Sequence, residues 1–169
     1  MVKIIQGKEE ILRTTAKEVI IEEIGGKKIK KIIKEMKEAL DSCDDGIALA
    51  APQIGVPLRL FVVSPKVYGD KDKNQPTVFI NPKITSLSKK TQRIEEGCLS
   101  LRWLYGEVKR AERATVEARD ERGIKFTRGA SGLLAQVFQH ELDHLQGVLF
   151  TDKAKNVRNI PPEIMEKHD

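Results

Sequence analysis

The segment SGLLAQVFQHELDHLQG, residues 131–147, predicts the helix around which the rest of this chain folds. Ser131 suits the position that caps the start of a helix, and Gly147 suits the left-handed position that ends one. The apolar residues between them cover more than one helix face, and they are Leu133, Leu134, Val137, Phe138, Leu142 and Leu145. A helix that is apolar on several faces is buried, so we expect strands to enclose it.

Two of the three histidines in the chain lie four residues apart in this helix. Four residues make about one helical turn, so His140 and His144 project from the same face and can share one metal ion. Glu141 lies at the edge of that face, where its carboxylate can act on a water molecule bound to the ion. A single histidine is usually an ordinary, partly buried polar residue. This spacing, with a carboxylate beside it, favours a catalytic metal site instead.

A catalytic ion of this type needs a third protein ligand and keeps one position open for water. The third histidine that many metalloproteases carry downstream is replaced here by Phe150. Glu163, Glu166 and His168 remain downstream, but they lie in a short terminal tail that is expected to fray. Cys98 is the better candidate, because the segment EEGCLS ends a predicted strand and its thiolate can project toward the buried helix.

A third stretch, GIALAAPQIG at residues 46–55, combines small residues with a proline and a glutamine. Small residues allow a backbone to pass close to another group. The amide of Gln53 can donate a hydrogen bond to an oxygen that becomes negative during a reaction. A tight turn is the simpler interpretation of the same stretch.

The remaining segments predict one further helix and a set of short strands. Residues 27–41 carry apolar side chains at helical spacing after the helix-breaking pair Gly25-Gly26. Strands are predicted in LRLFVVS, TVFINP and TQRIEEGCLS, and a hairpin in VKRAERATVEARD, the turn DERG and the return GIKFTRG. The fold class is therefore α+β, with antiparallel β-sheets packed around a central helix that carries the H-E-x-x-H motif. We expect a single domain spanning residues 1–169.

Composition limits the class of protein. The 169 residues are 40% hydrophobic and 33% charged with a net charge of +5, as in an ordinary globular domain. Acidic residues are interleaved with the basic ones, so the positive charge predicts no specific binding of DNA. Because no apolar run reaches the roughly 20 residues of a membrane span, we expect no membrane association. The N-terminus lacks the apolar core of a secretory signal, so we expect a cytoplasmic protein with reduced cysteines.

Together, GIALAAPQ, EGCLS and QHELDH resemble three motifs of the peptide deformylase family, in the same order along the chain. The resemblance extends over most of the sequence, from ILRTTAKEV to GVLFTDK. It implies a metal-dependent hydrolase that removes the formyl group from the N-terminal formyl-methionine of newly made polypeptides and releases formate. The residues that it implies are Cys98, His140 and His144 as metal ligands, Glu141 as general acid and base, and Gln53 with the backbone N–H of Leu99 as oxyanion donors.

The same resemblance implies a substrate pocket and a cofactor. The matching substrate-binding positions are Ile47, Ala48, Ile94, Leu133, Gln136 and Val137. The expected cofactor is one divalent ion, Fe²⁺ in the cell, with Ni²⁺, Co²⁺ or Zn²⁺ as substitutes, and the ligand spacing alone does not exclude zinc. The expected partners are formyl-methionyl nascent peptides, with a transient ribosome contact through the basic surface.

Three positions depart from the family pattern. Ala48 replaces the usual second glycine, Arg102-Trp103 replaces a frequent Pro-Gly pair, and Gln136 replaces a residue that is often apolar. These departures bear on the range of substrates more than on the type of reaction. Glu96 and Arg110 are expected to form an ion pair that supports the metal site.

Two other functions account for part of the sequence. A zinc endopeptidase would use the same helix, but Phe150 stands where it would carry its third histidine. A noncatalytic protein with a structural metal, using its basic surface on RNA, would need a closed site with four ligands. Such a protein has no use for Glu141.

Overall fold

The structure, a computed structural model, describes residues 2–69 and 74–165. The α-helices are α1 (Lys27–Asp41), α2 (Gly132–Leu145) and α3 (Pro162–Met165). The strands are β1 (Ala48–Ala50), β2 (Leu60–Val63), β3 (Val78–Leu87), β4 (Thr91–Gly97), β5 (Leu104–Ala111), β6 (Arg113–Arg119), β7 (Lys125–Ser131) and β8 (Lys155–Asn159). Within these described residues, no helix has both the length and the apolar character needed to span a bilayer.

The strands form two antiparallel sheets, and α2 contacts both of them. The larger sheet has the strand order β1-β2-β3-β6-β7, and the smaller sheet has the order β4-β5-β8. Helix α2 packs against β1, β3, β6 and β7 of the larger sheet and against β5 of the smaller one. The predicted mixture of helices with antiparallel sheets is confirmed.

Helix α1 covers the outer side of the larger sheet. Its apolar positions recur every three or four residues, so Ile29, Ile33, Met36 and Leu40 all point inward and are buried. They pack in one cluster with Leu49 of β1 and with residues of β2 and β3. Burying a side chain of this size stabilises the fold by about 1.5 to 3 kcal/mol. The helix predicted at residues 27–41 is confirmed.

Aromatic rings fill the space between α2 and the larger sheet. The rings of Phe61 on β2 and Phe79 on β3 stack with their centroids 4.6 Å apart. Phe138 of α2 meets the edge of Phe79, with the centroids 5.3 Å apart. All three rings are completely buried. These contacts fix the distance and orientation of α2 relative to the sheet.

The segment VKRAERATVEARD, predicted as one strand of a hairpin, forms two strands that belong to different sheets. Strand β5 ends at Ala111 and pairs with β4, whereas β6 begins at Arg113 and pairs with β3 and β7. At the crossing, the N–H of Ala111 donates to Oε1 of Gln139, and Nε2 of Gln139 donates back to the Ala111 carbonyl. The backbone N–H and carbonyl of Ala111 thus pair with a side chain of α2 instead of with a neighbouring strand. The hairpin around the DERG turn is present between β6 and β7.

The N-terminal segment runs across the end of α2 and behind the loops that follow β1 and β4. Gly147, just after α2, has a φ of 72°, and a Cβ there would lie 2.3 Å from the Arg13 carbonyl oxygen. The N–H of Ala16 donates to the carbonyl of Leu145. Only glycine satisfies both the left-handed backbone and the close approach of the N-terminal segment.

Candidate metal centre and active site

Three possible metal ligands converge where the end of β4 meets α2. The ligand atoms of Cys98, His140 and His144 all lie within 4.8 Å of one another. Helical spacing brings the two imidazoles together, with ring centroids 4.9 Å apart. Cys98 follows the last residue of β4, and its Sγ lies 3.3 Å from Nε2 of His144. Over residues 2–69 and 74–165 the cluster has these three members, which is one fewer than a closed structural site needs.

The alternative ligands in the C-terminal tail do not join this cluster. Glu163 lies on α3, where it is exposed. Glu166 and His168 lie outside the described residues. Phe150 occupies the position of the metalloprotease histidine, and it is buried with its ring 6.4 Å from that of His140.

The donor atoms fit a divalent transition metal. Bond lengths of about 2.3 Å to sulfur and 2.1 Å to nitrogen around a tetrahedral ion place the two donors about 3.6 Å apart. The distance between Cys98 and His144 is close to this value. Burial raises the pKa of the Cys98 thiol, but interactions with His144 and His140 lower it to about 5. The sulfur is therefore a thiolate at neutral pH, which is the form that binds metals.

Glu141 supplies a further indication that the site holds something besides protein atoms. Its carboxylate is buried, and its Oε2 has no hydrogen-bond partner among the described residues. Leaving a buried polar atom unpaired costs about 1 to 3 kcal/mol. An atom in this state beside a thiolate and two imidazoles fits a water molecule held at a metal.

A chain of ion pairs extends from His140 to the surface behind the site. Glu96 on β4 lies with Oε2 2.9 Å from Nδ1 of His140. Arg110 on β5 donates to both oxygens of Glu96, at 2.7 and 2.9 Å. A third N–H of Arg110 donates to Asp143 of α2 at 2.7 Å, and Lys153 donates to the other oxygen of Asp143 at 2.8 Å. The expected pair of Glu96 with Arg110 is present, whereas Asp143 and Lys153 were not foreseen from the sequence.

This chain determines which nitrogen of His140 is available to a metal. Burial raises the pKa of Glu96, but hydrogen bonds from Arg110 and His140 outweigh burial and lower it to about 2. An ionised carboxylate only accepts hydrogen bonds, so Nδ1 of His140 carries the proton and donates it. The other nitrogen, Nε2, is left as the ligand atom.

Two hydrogen-bond donors lie beside the cluster. The side chain of Gln53, in the 3₁₀ turn Ala51–Ile54, is fixed because its Oε1 accepts from the N–H of Ala50 at 2.8 Å. Its Nε2 donates to Oγ of Ser100 at 3.1 Å and lies 3.6 Å from Cys98 Sγ. The N–H of Leu99 makes no hydrogen bond to another described residue. Both groups line the cavity next to the cluster and can donate to a bound oxygen.

A cavity of about 330 Å³ opens from the cluster to the surface. Of the expected substrate-binding residues, those that line it are Ile47, Ala48, Leu133, Gln136 and Val137. Ile94 does not line it and instead pairs with Val108 across β4 and β5. Within the lining, Glu141 is buried, whereas the side chains of Asp45 and Glu95 are about half exposed. We call the part of the cavity at Asp45 and Glu95 the mouth.

Two of the departures from the family pattern have local partners. Nε2 of Gln136 donates to the Glu95 carbonyl at 3.0 Å, so its amide is paired. The guanidinium of Arg102 donates to both oxygens of Asp45 and lies 4.8 Å from the centre of the Trp103 ring. The sequence singled out Arg102-Trp103 as a departure that bears on the range of substrates, but it did not predict that Leu101, Leu104 and Tyr105 line the cavity. A tryptophan in a loop next to a proposed ligand was the one available signal.

Comparison with known proteins gives concordant results. Residues 1–159 match the family described as polypeptide deformylase. The chain is 42% identical over 158 residues to a peptide deformylase of Neisseria meningitidis, covering 94% of this chain and 89% of that one. The crystal structure of peptide deformylase from Thermotoga maritima is 37% identical with a TM-score of 0.81, covering 92% and 98%. A deformylase structure from Acinetobacter baumannii described as Met-Ala-Ser bound is 28% identical with a TM-score of 0.77, covering 89% and 96%.

Proposed function

Because this chain belongs to the polypeptide deformylase family, we propose that Cys98, His140 and His144 form its metal centre and that Glu141 is its acid and base. The chain is a hydrolase that removes the formyl group from formyl-methionyl peptides, as its relatives do. The observation that carries the residue assignment is the convergence of three ligand atoms beside an unpaired, buried carboxylate oxygen. Family membership also disfavours the endopeptidase and the structural-metal alternatives.

The proposed ligands hold one divalent ion. Such an ion would supply Lewis acidity and would lower the pKa of a bound water molecule toward about 7. A thiolate with two imidazoles suits Fe²⁺, Ni²⁺, Co²⁺ and Zn²⁺ alike. We propose Fe²⁺ as the ion in the cell and the other three as substitutes.

Glu141 moves the proton in both halves of the reaction. Burial raises the pKa of its carboxyl, which brings it closer to the working pH of a general base. The unpaired oxygen of Glu141 takes a proton from the attacking water molecule as the oxygen of that water bonds to the formyl carbon. The same proton then passes to the methionine nitrogen as the C–N bond breaks. Formate and a peptide with a free amine leave the site.

Gln53 and Leu99 stabilise the negative charge that develops on the formyl oxygen. The N–H of Ala50 holds Oε1 of the Gln53 amide, so the side chain is oriented toward the site before the charge appears. The Leu99 N–H has no competing partner among the described residues. Each donor of this kind typically contributes about 100- to 1,000-fold to the rate.

The methionine side chain binds among Ile47, Leu133 and Val137, which form the apolar wall of the cavity beside His140. Ala48 and Gln136 complete this wall, whereas the lining of the cavity gives Ile94 no support as a substrate-binding residue. A product-like peptide, Met-Ala-Ser, is bound to the relative from Acinetobacter baumannii. A peptide that begins with methionine is therefore the ligand that we place in this cavity.

The wider context of the activity is also proposed. Residues 1–169 act as one catalytic domain, in which α2 is the central helix that carries the motif, because α2 contacts both sheets. The enzyme works in the cytoplasm, where chains begin with formyl-methionine. The net charge of +5 supports a transient contact with the ribosome, whose RNA is negatively charged.

Formate release from formyl-Met-Ala-Ser by anaerobically prepared, Fe²⁺- or Ni²⁺-loaded protein tests this function. We expect Glu141→Gln to lower kcat by at least about 100-fold, because proton transfer loses its carrier, while the metal content stays the same. Glu163→Gln is the matched control, since that carboxylate is exposed on α3, and it should retain full activity. Turnover by Glu141→Gln within a few-fold of the parent would exclude the assigned role.

A further inference from the structure

The connection between β4 and β5 brings an aromatic side chain to the mouth of the cavity. Gly97 pairs with Tyr105 at the base of this hairpin, and Cys98 begins its tip. The tip is folded by two hydrogen bonds, from the N–H of Leu101 to the Cys98 carbonyl and from the N–H of Leu104 to the Leu101 carbonyl. Trp103 lies on this tip and lines the cavity. One short segment therefore joins a proposed metal ligand to the mouth.

Trp103 is held in place from several sides. Its carbonyl accepts a hydrogen bond of 3.0 Å from the N–H of Ile160, just beyond β8. The guanidinium of Arg102 lies over its ring, 4.8 Å from the ring centre. That guanidinium donates two hydrogen bonds, of 2.5 and 3.1 Å, to Asp45, which also lines the cavity. A ring fixed in this way binds a ligand with little loss of side-chain entropy.

The charges around the mouth are paired with one another. Asp45 binds Arg102, and Glu95 forms an ion pair with Arg158. These pairs neutralise the two carboxylates that line the mouth, so neither is left to select a charged peptide. The rest of the hairpin tip presents Leu101, Trp103 and Tyr105, which offer apolar and aromatic surface. Selection at the mouth therefore depends on apolar contact.

We propose that the Trp103 ring binds the side chain that follows methionine in the substrate and selects large apolar or aromatic residues at that position. The inference rests on the proposed function of the site. A peptide with its formyl group at Cys98 and its methionine against Val137 leaves the cavity through the mouth. An extended chain advances about 3.4 Å per residue, and we therefore place the next side chain beside Trp103 on the hairpin tip. Tryptophan is the residue type that most often dominates such contacts.

Formyl-Met-Phe-Ser and formyl-Met-Gly-Ser, assayed side by side, test this selection. We expect kcat/KM to be about tenfold higher for the phenylalanine peptide, mainly through a lower KM, as expected for one aromatic contact with its buried area. Trp103→Ala should reduce the ratio to nearly one, and Trp103→Phe should restore most of it. Ile124→Ala is the control, because Ile124 is an exposed apolar residue in the turn between β6 and β7. If the ratio of the two kcat/KM values in Trp103→Ala stays within twofold of the ratio in the parent protein, the proposal is wrong.

A binding measurement separates this inference from the catalytic proposal. Trp103 is the only tryptophan of the chain, so intrinsic fluorescence reports on its ring alone. Titration of the metal-loaded protein with Met-Phe-Ser should shift the emission and give a Kd about tenfold lower than Met-Gly-Ser. The shift with no formate release would reject the catalytic assignment and keep the selection. Formate release with equal Kd values for the two peptides and unchanged emission would keep the catalytic assignment and reject selection by Trp103.

Discussion

Cys98 and His140 are in contact, and each changes the acidity of the other. Burial alone would raise the pKa of the Cys98 thiol and lower that of the His140 imidazole. For Cys98, interactions with His144 and His140 outweigh burial, and for His140, hydrogen bonds with Cys98 and Glu96 outweigh it. The thiol pKa falls to about 5, and the imidazole pKa rises well above its usual value. The thiolate form of Cys98 and the protonated Nδ1 of His140 are thus both favoured by their neighbours, which leaves the sulfur and Nε2 as the atoms that would bind a metal.

The lowered pKa of Cys98 predicts its reactivity in protein stripped of metal. Alkylation by iodoacetamide follows the thiolate fraction, which rises as the pH increases through the pKa. The rate constant for Cys98 should therefore have its midpoint near pH 5, where the pKa of this thiol lies. An ordinary thiol would give a midpoint at about 8.5. Cys98→Ser, which retains Cys43, gives the background rate, and a midpoint above about 8 for Cys98 would contradict the prediction.

The sequence predicted the proposed ligands better than the residues that support them. His140, Glu141 and His144 follow from spacing within one helix, where sequence distance and spatial distance agree. Lys153 and Trp103 gain their roles from partners brought close only by the folded chain. Periodicity and spacing carry no information about such pairs, so Lys153 was missed and Trp103 was noted only as a departure from the family pattern.

At the scale of elements, one arginine joins three of them. Arg110 on β5 binds Glu96 on β4 and Asp143 on α2, and it is only 3% exposed. A buried ion pair adds little net stability, but removing one partner leaves the other charges without compensation. The distance between the smaller sheet and α2 therefore depends on this one side chain.

Arg110→Met should destabilise the metal-loaded protein by about 3 to 5 kcal/mol, because Glu96 and Asp143 lose the buried guanidinium that they share. The free energy of unfolding in urea measures the effect. Arg122→Met removes a guanidinium of the same size from Asp120, but that guanidinium is 75% exposed. We expect a cost below about 1 kcal/mol for this control. Equal costs for the two variants would show that burial of the network does not matter.

The helix at residues 27–41 was predicted correctly because its apolar spacing is regular and a glycine pair precedes it. The prediction of one strand at residues 108–120 was wrong in one respect, since the chain passes from the smaller sheet to the larger one after Ala111. The same alternation of apolar and polar residues continues on both sides of that point. The amide of Gln139, which marks the change, is separated from it by 28 residues. A local pattern therefore predicts strands but not the sheet to which they belong.

For the whole molecule, the proposed metal ligands come from the end of one sheet and from α2, which contacts both sheets. A ligand that binds only the folded state stabilises it by about 4 kcal/mol at a concentration 1,000 times its Kd. Removal of the metal by a chelator should therefore lower the Tm by about 8 to 16 °C for a chain of this size. Circular dichroism melting measures the shift. In Cys98→Ser, the chelator should change the Tm much less. If it lowers the Tm of that variant as much as that of the parent protein, the metal binds elsewhere.

The α+β class and antiparallel sheets were predicted from the sequence, whereas the strand order was not. The pairing of β3 with β6 and of β5 with β8 joins segments that are distant in the chain. Alternating side chains show which face of a strand is buried, but they do not identify the neighbouring strand. The order came from the three-dimensional structure alone.

The N-terminal segment closes the back of the site, and this has a consequence for how the protein folds during translation. Backbone and side-chain groups of Ile5, Gln6 and Gly7 donate to the carbonyls of Gln53, Leu99 and Ser100, and the bond from Gln6 spans 93 residues. Contacts between distant segments slow folding, because the chain loses the entropy of closing a long loop before the stabilising contact forms. The residues synthesised first therefore wait for residues 99 and 100 before the proposed oxyanion donors are fixed, and the proposed metal ligand His144 follows later still. An emerging chain remains inactive until nearly all of it has left the exit tunnel.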